Sequence, residues 1–411
     1  MSTVRPFCAV RPTPEFAAKI AALPYDVMNT EEARVRAEAN PLTFLRVDRA
    51  EVDFEPGHDP YAPEVYAHAA ELLAAYETRG EYRQDGTPRY YIYRQTMGPR
   101  SQTGIVGCAS VDEYLSGDVR RHELTRADKE ADRIRHVDAC DANTGPIFLA
   151  YRHSDALAAI VAKYMEREPV YDFVSEGDVG NTVWVADEAD NEKIAAAFAE
   201  INRLYIADGH HRCASAVKVA LKRRGEHPDY DGSEEFNFFL AVLFDADELA
   251  IMDYNRVIAD LNGMTEEEVL TAIGKNFEIE KQDAPVAPDR RHVFGMYLGK
   301  TWYRLTLKEG AADESDPVKS LDVSILQDLV NGPVFGIGDP RTDKRIDFVG
   351  GIRGLKELER RCETDMALAF SMHPTSMEEL MRIADDERIM PPKSTWFEPK
   401  LLSGLFVHKL R

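Results

Sequence analysis

The order of hydrophobic and polar positions along the chain predicts a mixed α/β fold. An apolar run at residues 204–207 indicates a buried strand, and apolar residues spaced i, i+3, i+4, i+7 and i+8 over 213–221 predict one face of a helix. Residues 236–244 are almost wholly apolar, which is typical of a central strand. A short polar segment between the first strand and its helix is therefore predicted to form a strand-to-helix turn.

The same patterns predict further elements on both sides of this turn. Helices are expected over 30–39 and 61–76, a hairpin over 89–95 and 103–109, a charge-dense helical region over 111–152, and a last strand over 405–410. Capping boxes are predicted to open helices after Thr265 and Ser376, and Gly299-Lys300 is predicted to turn a second hairpin. We divide the chain into an N-terminal α/β segment (1–110), a core carrying the turn (111–262) and a C-terminal α/β segment (263–411).

Composition and charge argue against several classes of protein, namely nucleic-acid binders, binders of anionic membranes and membrane-spanning proteins. The chain has 411 residues, 44% of them hydrophobic and 30% charged, and a net charge of −22, which argues against nucleic acid or an anionic membrane surface as a partner. No apolar run is long enough to span a membrane, no signal peptide is recognisable, and five scattered cysteines form no CxxC pair. We expect a cytoplasmic protein with reduced thiols that acts on small molecules, in an oligomeric state that the sequence does not fix.

The predicted turn consists of Asp208-Gly209-His210-His211-Arg212. The first turn of a helix carries unpaired N–H groups and a partial positive charge, so it binds anions, phosphate above all. Gly209 allows a ligand to approach the backbone, Arg212 can grip two oxygens, and His210 or His211 can donate a hydrogen bond. Asp208 could orient a histidine or bind Mg²⁺. The alternative is that Asp208 only caps the helix and both histidines are surface groups.

A second polar segment contains His122 and Glu123, flanked by basic residues. A carboxylate beside a phosphate site can take the proton of a hydroxyl nucleophile, so Glu123 is a candidate general base. The alternative interpretation is a charged helix face, which most such runs are. The chain lacks GxxxxGK[ST], GxGxxG, HExxH and GxSxG, so neither a P-loop nor a dinucleotide-binding fingerprint explains a phosphate site.

Five more residues are candidates for ligand contacts. Asp26 either caps a helix or binds a substrate amine, and Asn143 with Thr144 either forms a plain turn or presents an amide and a hydroxyl to a ligand. Lys393 lies in a proline-stiffened loop that is either an anion clamp or a connector. Arg345 adds charge beside a glycine-containing loop and is a further candidate for the substrate site.

Several motifs spread over nearly the whole chain resemble a known family. They are RPFCAVRP, LPYDVM, NPLTFLRVDRAE, RHELTRADKE, DANTGPIF, YIADGHHRCASAVK, MDYNRVIADLNG and PPKSTWFEPK. Together they are similar to the family labelled domain of unknown function 1015. That family label implies little chemistry by itself.

The DGHHR turn resembles the phosphate-binding turn of the ParB/sulfiredoxin superfamily, which includes kinases of free serine. This resemblance implies a ParB/sulfiredoxin-like core embedded in larger N- and C-terminal segments. It implies Glu123, next to His122, as the general base. It also implies that Asp208 to Arg212 hold the donor phosphates with Mg²⁺.

The function that follows is a phosphotransferase acting on a small hydroxyl compound, with free L-serine as the best candidate and ATP, ADP or pyrophosphate as donor. Lys393 or Arg345 would complete the phosphate clamp. Two alternatives stay open at this stage. The same pocket could hydrolyse phosphoserine or a related ester, or the protein could be a nucleotide-binding switch without catalysis.

Overall fold

The computed structural model describes residues 1–411 and divides them into two compact units. The first unit comprises Met1–Leu249 and Pro399–Arg411, and the second comprises Ala250–Glu398. The expected segment limits at 110 and 262 do not coincide with this division. Residue 110 ends a strand in the interior of the first unit's sheet, and the chain returns to that unit at its C-terminus.

Strands and helices are both abundant, so the predicted mixed α/β class is confirmed. The strands are β1 (Val4–Arg5), β2 (Val10–Pro12), β3 (Tyr82–Gln84), β4 (Tyr91–Met97), β5 (Arg100–Ser110), β6 (Val119–Arg120), β7 (Ala142–Asn143), β8 (Ile147–Tyr151), β9 (Tyr171–Ser175), β10 (Val179–Val185), β11 (Leu204–Asp208), β12 (Phe238–Asp245), β13 (Tyr254–Ile258), β14 (Phe277–Gln282), β15 (Val293–Leu298), β16 (Thr301–Leu307), β17 (Ile346–Gly350), β18 (Leu368–Ser371) and β19 (His408–Lys409). The α-helices are α1 (Pro14–Ile20), α2 (Thr30–Ala39), α3 (Leu45–Asp48), α4 (Pro63–Thr78), α5 (Val111–Ser116), α6 (Ala127–Cys140), α7 (Asp155–Met165), α8 (Asn191–Ala199), α9 (His210–Glu226), α10 (Glu266–Ile273), α11 (Asp322–Leu326), α12 (Leu355–Thr364) and α13 (Met377–Asp385).

The first unit is built on a nine-stranded mixed sheet in the order β6-β11-β8-β12-β5-β4-β10-β9, with β1 also paired to β5. Strand β12 is buried along its whole length, as its apolar sequence predicts, and pairs parallel to β8 and antiparallel to β5. The predicted hairpin is formed by β4 and β5. Strand β8 lies inside the region that we expected to be helical, because a short apolar run fits a buried strand and a buried helix equally well.

The second unit has a six-stranded sheet in the order β14-β16-β15-β18-β13-β17, and every neighbouring pair is antiparallel. The predicted hairpin is confirmed by β15 and β16, which pair on either side of Gly299-Lys300. Both predicted capping boxes are present: Thr265 opens α10 and Ser376 opens α13. A contiguous strand over 405–410 is not found. Only β19 forms there, paired with β7 in the first unit.

No helix of the structure is both long enough and apolar enough to cross a membrane.

Candidate functional site

The strand-to-helix turn predicted from the sequence is present between β11 and α9. Strand β11 ends at Asp208, Gly209 has φ +90°, and α9 begins at His210. A β-carbon on Gly209 would lie 3.1 Å from Nε and 3.3 Å from Cζ of Arg212. Glycine is therefore needed here for two reasons: the left-handed backbone disfavours other residues, and the Arg212 side chain folds back over the turn.

One guanidinium nitrogen of Arg212 is hydrogen-bonded within the protein, and another has no hydrogen-bond partner. Its Nη1 donates to the carbonyl oxygen of Pro146 at 2.6 Å, and its Nη2 lies 4.0 Å from Oδ2 of Asp208. Its Nε is buried and has no hydrogen-bond partner. A buried donor without an acceptor is costly, and this Nε can donate to an oxygen from outside the chain, such as that of a water or a ligand.

Asp208 is surrounded by positive charge. Lys400 Nζ lies 3.4 Å from its Oδ2, and the Gly209 N–H donates to its Oδ1 at 2.9 Å. Burial opposes the ionisation of Asp208, but the charges of Lys400 and Arg212 outweigh it, so the pKa of this carboxyl lies well below its usual range. Asp208 is thus a permanently charged anchor for two cations, and Mg²⁺ would have to compete with both of them for it.

Lys400 belongs to this cluster but was not selected as a site residue from the sequence, where it follows the loop that carries Lys393. It belongs to the C-terminal stretch Pro399–Arg411, which joins the first unit. Nothing in its local sequence marks it apart from Lys393, seven positions earlier. Only the return of the chain to the first unit brings its ammonium group to Asp208.

His122 and Glu123 lie beside the start of α9. They belong to a non-helical segment after β6, so the alternative of a charged helix face does not hold. The rings of His122 and His210 meet edge to face with centroids 4.5 Å apart. Oε2 of Glu123 lies 3.8 Å from Nδ1 of His210, and the Glu123 side chain is 42% exposed. The structure therefore brings together both polar segments that the sequence analysis singled out.

The two clustered histidines are uncharged near neutral pH. Burial lowers the pKa of His122 to about 4, with the charge of Asp208 opposing the shift. Burial, and then the neighbouring His122, hold the pKa of His210 well below its usual range. Neutral imidazoles offer one N–H donor and one lone pair each, which suits hydrogen bonding to a phosphate or ligation of a metal.

His211 points elsewhere, as adjacent residues on a helix do. Its Nε2 accepts the Arg126 backbone N–H at 2.9 Å, and the charge of the exposed Asp26 acts on the same imidazole. His211 is thus committed to the segment before α6. Its predicted phosphate contact and the predicted substrate contact of Asp26 stay predictions.

Asn143 and Thr144 are buried and hydrogen-bonded within the first unit. The Oδ1 atom of Asn143 accepts the Leu240 N–H at 3.1 Å, and Oγ1 of Thr144 donates to Oδ1 of Asp48 at 2.8 Å. Asn143 and Thr144 also line a small cavity of about 30 Å³ that reaches Arg212. The predicted turn is therefore next to the Arg212 guanidinium, although its amide oxygen supports the sheet.

A larger polar cavity of about 160 Å³ shares walls with the small one and was not anticipated from the sequence. The guanidinium of Arg133 lies 4.1 Å above the ring of Tyr25, and Tyr66 donates to Asp132 at 2.9 Å. Both cavities share four wall residues, Tyr25, Asp48, Arg133 and His136. These residues come from distant parts of the chain, and no single motif signals their convergence.

Lys393 and Arg345 belong to the second unit, where other groups contact them. Nζ of Lys393 lies 5.7 Å from the ring centroid of Tyr254. Arg345 donates to Asp343 at 2.8 Å and to the carbonyl oxygen of Phe335 at 3.0 Å. Their predicted part in a phosphate clamp stays a prediction.

The protein is thus an α/β protein with a cluster of charged residues at a strand–helix junction. The chain belongs to the family described as "Protein of unknown function (DUF1015)", whose model matches residues 4–324. The resemblance inferred from the motifs is thereby confirmed. No curated protein matches the chain.

Solved structures similar to this chain include a free serine kinase in complex with AMP, at 15% identity and a TM-score of 0.34, covering 70% of this chain and 85% of that one. A conserved hypothetical protein from Pyrococcus furiosus aligns at 14% identity and a TM-score of 0.34, covering 73% and 93%. SbnI with a C-terminal truncation, from Staphylococcus aureus, aligns at 12% identity and a TM-score of 0.38, covering 72% and 85%. Identities and TM-scores this low carry no argument about function, so the proposed function rests on the residues of this chain.

Proposed function

We propose that the protein is a phosphotransferase whose donor phosphates bind at the start of α9. The observation that supports this most strongly is the buried Nε of Arg212, which has no partner, beside a helix N-terminus opened by Gly209. Backbone N–H groups and a free guanidinium donor together are the usual protein ligands of phosphate oxygens. The ion pair of Lys400 with Asp208 adds a second cation at the same place.

The acceptor in this proposal is a small alcohol, with free L-serine as the best candidate. The acceptor oxygen forms the new P–O bond, the bond from the phosphorus to the donor's leaving oxygen breaks, and the hydroxyl proton passes to Glu123. Glu123 suits this role because part of its carboxylate is open to solvent while its neighbour His210 is buried. Such transfer needs mainly positioning and charge neutralisation.

The donor is ATP, ADP or pyrophosphate, and Mg²⁺ would arrive with it. Mg²⁺ in such sites is usually held by one or two carboxylates together with substrate phosphates. Asp208 is the predicted protein ligand, and the two neighbouring cations make it a weak one until donor oxygens compete for Arg212 and Lys400.

The direct test is to incubate the full-length protein with L-serine, Mg²⁺ and each donor in turn, and to follow phosphoserine by ³¹P NMR. Phosphoserine with at least one donor is the expected result. Absence of product with all three donors would contradict the kinase proposal. Release of inorganic phosphate from phosphoserine without any nucleotide would favour the hydrolase instead, and nucleotide binding without turnover would favour the switch.

Glu123→Gln separates the base from the binding site. We expect kcat to fall by about 100-fold or more, because a general base contributes roughly 10²- to 10⁴-fold, while donor affinity is nearly unchanged. Asp128→Asn is the matched control, since Asp128 is an exposed carboxylate that pairs with Arg126. If Glu123→Gln keeps its activity, the base lies elsewhere, and Asp48, which lines both cavities, is the next carboxylate to change.

A further inference from the structure

His122, Glu123 and His210 form a cluster whose geometry the transfer reaction does not require. One ligand atom from each residue lies within 4.8 Å of the other two. The imidazoles are 2% and 6% exposed, whereas the carboxylate is partly open. Two nitrogens and one carboxylate oxygen thus converge from a loop and from the first turn of α9, with one side accessible to solvent.

The hydrogen bonding of His210 points to a ligand that the protein itself does not provide. Its Nε2 is buried without a hydrogen-bond partner, and its Nδ1 lies 3.8 Å from the nearest carboxylate oxygen, which is longer than a hydrogen bond. A buried imidazole left in this state costs free energy. A metal ion bound through Nε2 would give that nitrogen a partner and remove that cost.

The surroundings of His122 are those of a metal-ligating histidine. One ring nitrogen hydrogen-bonds to the backbone of Ile206, a contact that fixes the orientation of the ring. Metal-bound histidines commonly donate their second ring N–H to such a carbonyl oxygen. The carboxylate of Asp208 acts electrostatically on both imidazoles and favours a cation between them.

We infer that His122, Glu123 and His210 bind one divalent transition-metal ion, such as Zn²⁺, Mn²⁺ or Fe²⁺, and leave at least one coordination position open. Two imidazoles and one carboxylate are a donor set used for zinc and for iron in proteins, whereas Mg²⁺ prefers oxygen ligands. One oxygen of Glu123 can ligate while the other accepts a proton.

A second cluster, His153 with Asp245 and Asp247, has comparable spacing but a different character. Both ring nitrogens of His153 already contact carboxylates, Asp245 at 2.7 Å and Asp155 at 3.1 Å, and the ring is half exposed. Its histidine therefore lacks the unsatisfied buried nitrogen that distinguishes the first cluster. This makes His153→Ala a matched control.

The test is a titration of the metal-free, full-length protein with Co²⁺, followed by its visible absorption and by the metal content after desalting. We expect one Co²⁺ per chain, displaced by Zn²⁺ and not by excess Mg²⁺. His210→Ala and Glu123→Gln should each weaken binding by about 100-fold or more, since even indirect partners of a ligand contribute 10- to 100-fold. His153→Ala should bind as the unchanged protein does.

Failure of the unchanged protein to bind stoichiometric Co²⁺ would overturn the inference. Affinities of His210→Ala and Glu123→Gln that both equal the affinity of the unchanged protein would also overturn it. Glu123 is half exposed, so its variant keeps the test decisive even if His210→Ala does not fold. The inference is independent of the proposed reaction. Metal binding without phosphoserine would refute the kinase alone, and phosphoserine formation without transition-metal binding would refute the metal site alone.

Discussion

Two aspartates, Asp208 in the first unit and Asp322 in the second, have pKa values that are shifted in opposite directions. Lys400 and Arg212 keep Asp208 in the first unit ionised, against the effect of burial. In the second unit, burial raises the pKa of Asp322 to about 7, and the His292 N–H that bonds to it at 2.9 Å offsets this only in part. In the first unit the nearby cations outweigh the burial of the carboxyl, whereas in the second unit burial outweighs the charge of Arg291.

Two arginines extend the contrast. Arg345 in the second unit contacts Asp343 and two carbonyl oxygens, so its donors are occupied. Arg212 in the first unit keeps a buried Nε without any acceptor. Incomplete satisfaction is what a binding group requires before its ligand arrives, whereas complete satisfaction is typical of a structural ion pair. The difference favours Arg212 over Arg345 as a ligand-binding arginine.

The largest expected effect comes from removing the guanidinium at the candidate site. Arg212→Ala should weaken binding of ADP or pyrophosphate by about 10²- to 10⁴-fold, because two hydrogen bonds to charged groups contribute roughly 1.5–3 kcal/mol each. Arg345→Ala should leave donor affinity within about twofold, because the donors of Arg345 are already occupied. A larger loss would support the predicted part of Arg345 in the phosphate clamp. Isothermal titration calorimetry measures the donor affinity of both variants. Equal losses of affinity in the two would contradict the expected difference between Arg212 and Arg345.

The second effect concerns stability and pH in the second unit. The pKa of Asp322 is raised in the folded state, so its stabilising contribution is present below about pH 4 and is lost as the pH rises through about 7. Asp322→Asn should therefore gain up to about 4 kcal/mol over the unchanged protein between pH 4 and pH 8, three pKa units at about 1.4 kcal/mol each. Chemical denaturation at both pH values measures this difference. A gain in the free energy of unfolding that does not depend on pH would contradict the raised pKa of Asp322.

The smallest expected effect is a change in the free energy of unfolding, which we compare for two glycines: Gly209 directly before α9 and Gly225 near its C-terminal end. Gly209→Ala should lower the free energy of unfolding by about 1–2 kcal/mol, because alanine is disfavoured at positive φ and would crowd Arg212. Gly225→Ala should be neutral or raise it by up to about 1 kcal/mol, since a β-carbon there meets open space in a helix. Thermal unfolding of both variants is the measurement. A similar loss at both positions would show that the turn imposes no special constraint.

The sequence predicted the local parts of this site and not their assembly. The turn at Gly209 could be recognised because an apolar strand, a glycine and a helical period adjoin one another there. The contact of Lys400 with Asp208 could not be predicted, since it depends on the chain returning to the first unit after 149 residues of the second, Ala250–Glu398. The capping boxes at Thr265 and Ser376 were predictable for the same reason as the turn, because three-residue spacings are local.

Strand β8 is an element that the hydrophobic pattern alone could not identify. Its five residues are all buried, so they carry no alternation that would separate strand from helix. Its place beside β12 and β11 follows from pairs that lie far apart in the sequence, such as Ile147 with Ala241 and Ala150 with Tyr205. The cavity around Arg133 and Tyr25 was missed for a similar reason, because its walls come from α3, α4 and α6 as well as from loops.

The most direct test of the central claim is a crystal structure of the protein with ADP or pyrophosphate bound. We predict phosphate oxygens at the N-terminus of α9, within hydrogen-bond distance of Nε of Arg212 and close to Nζ of Lys400. Phosphate bound in the second unit only, or at a site in the first unit that does not contact Arg212, would contradict the claim.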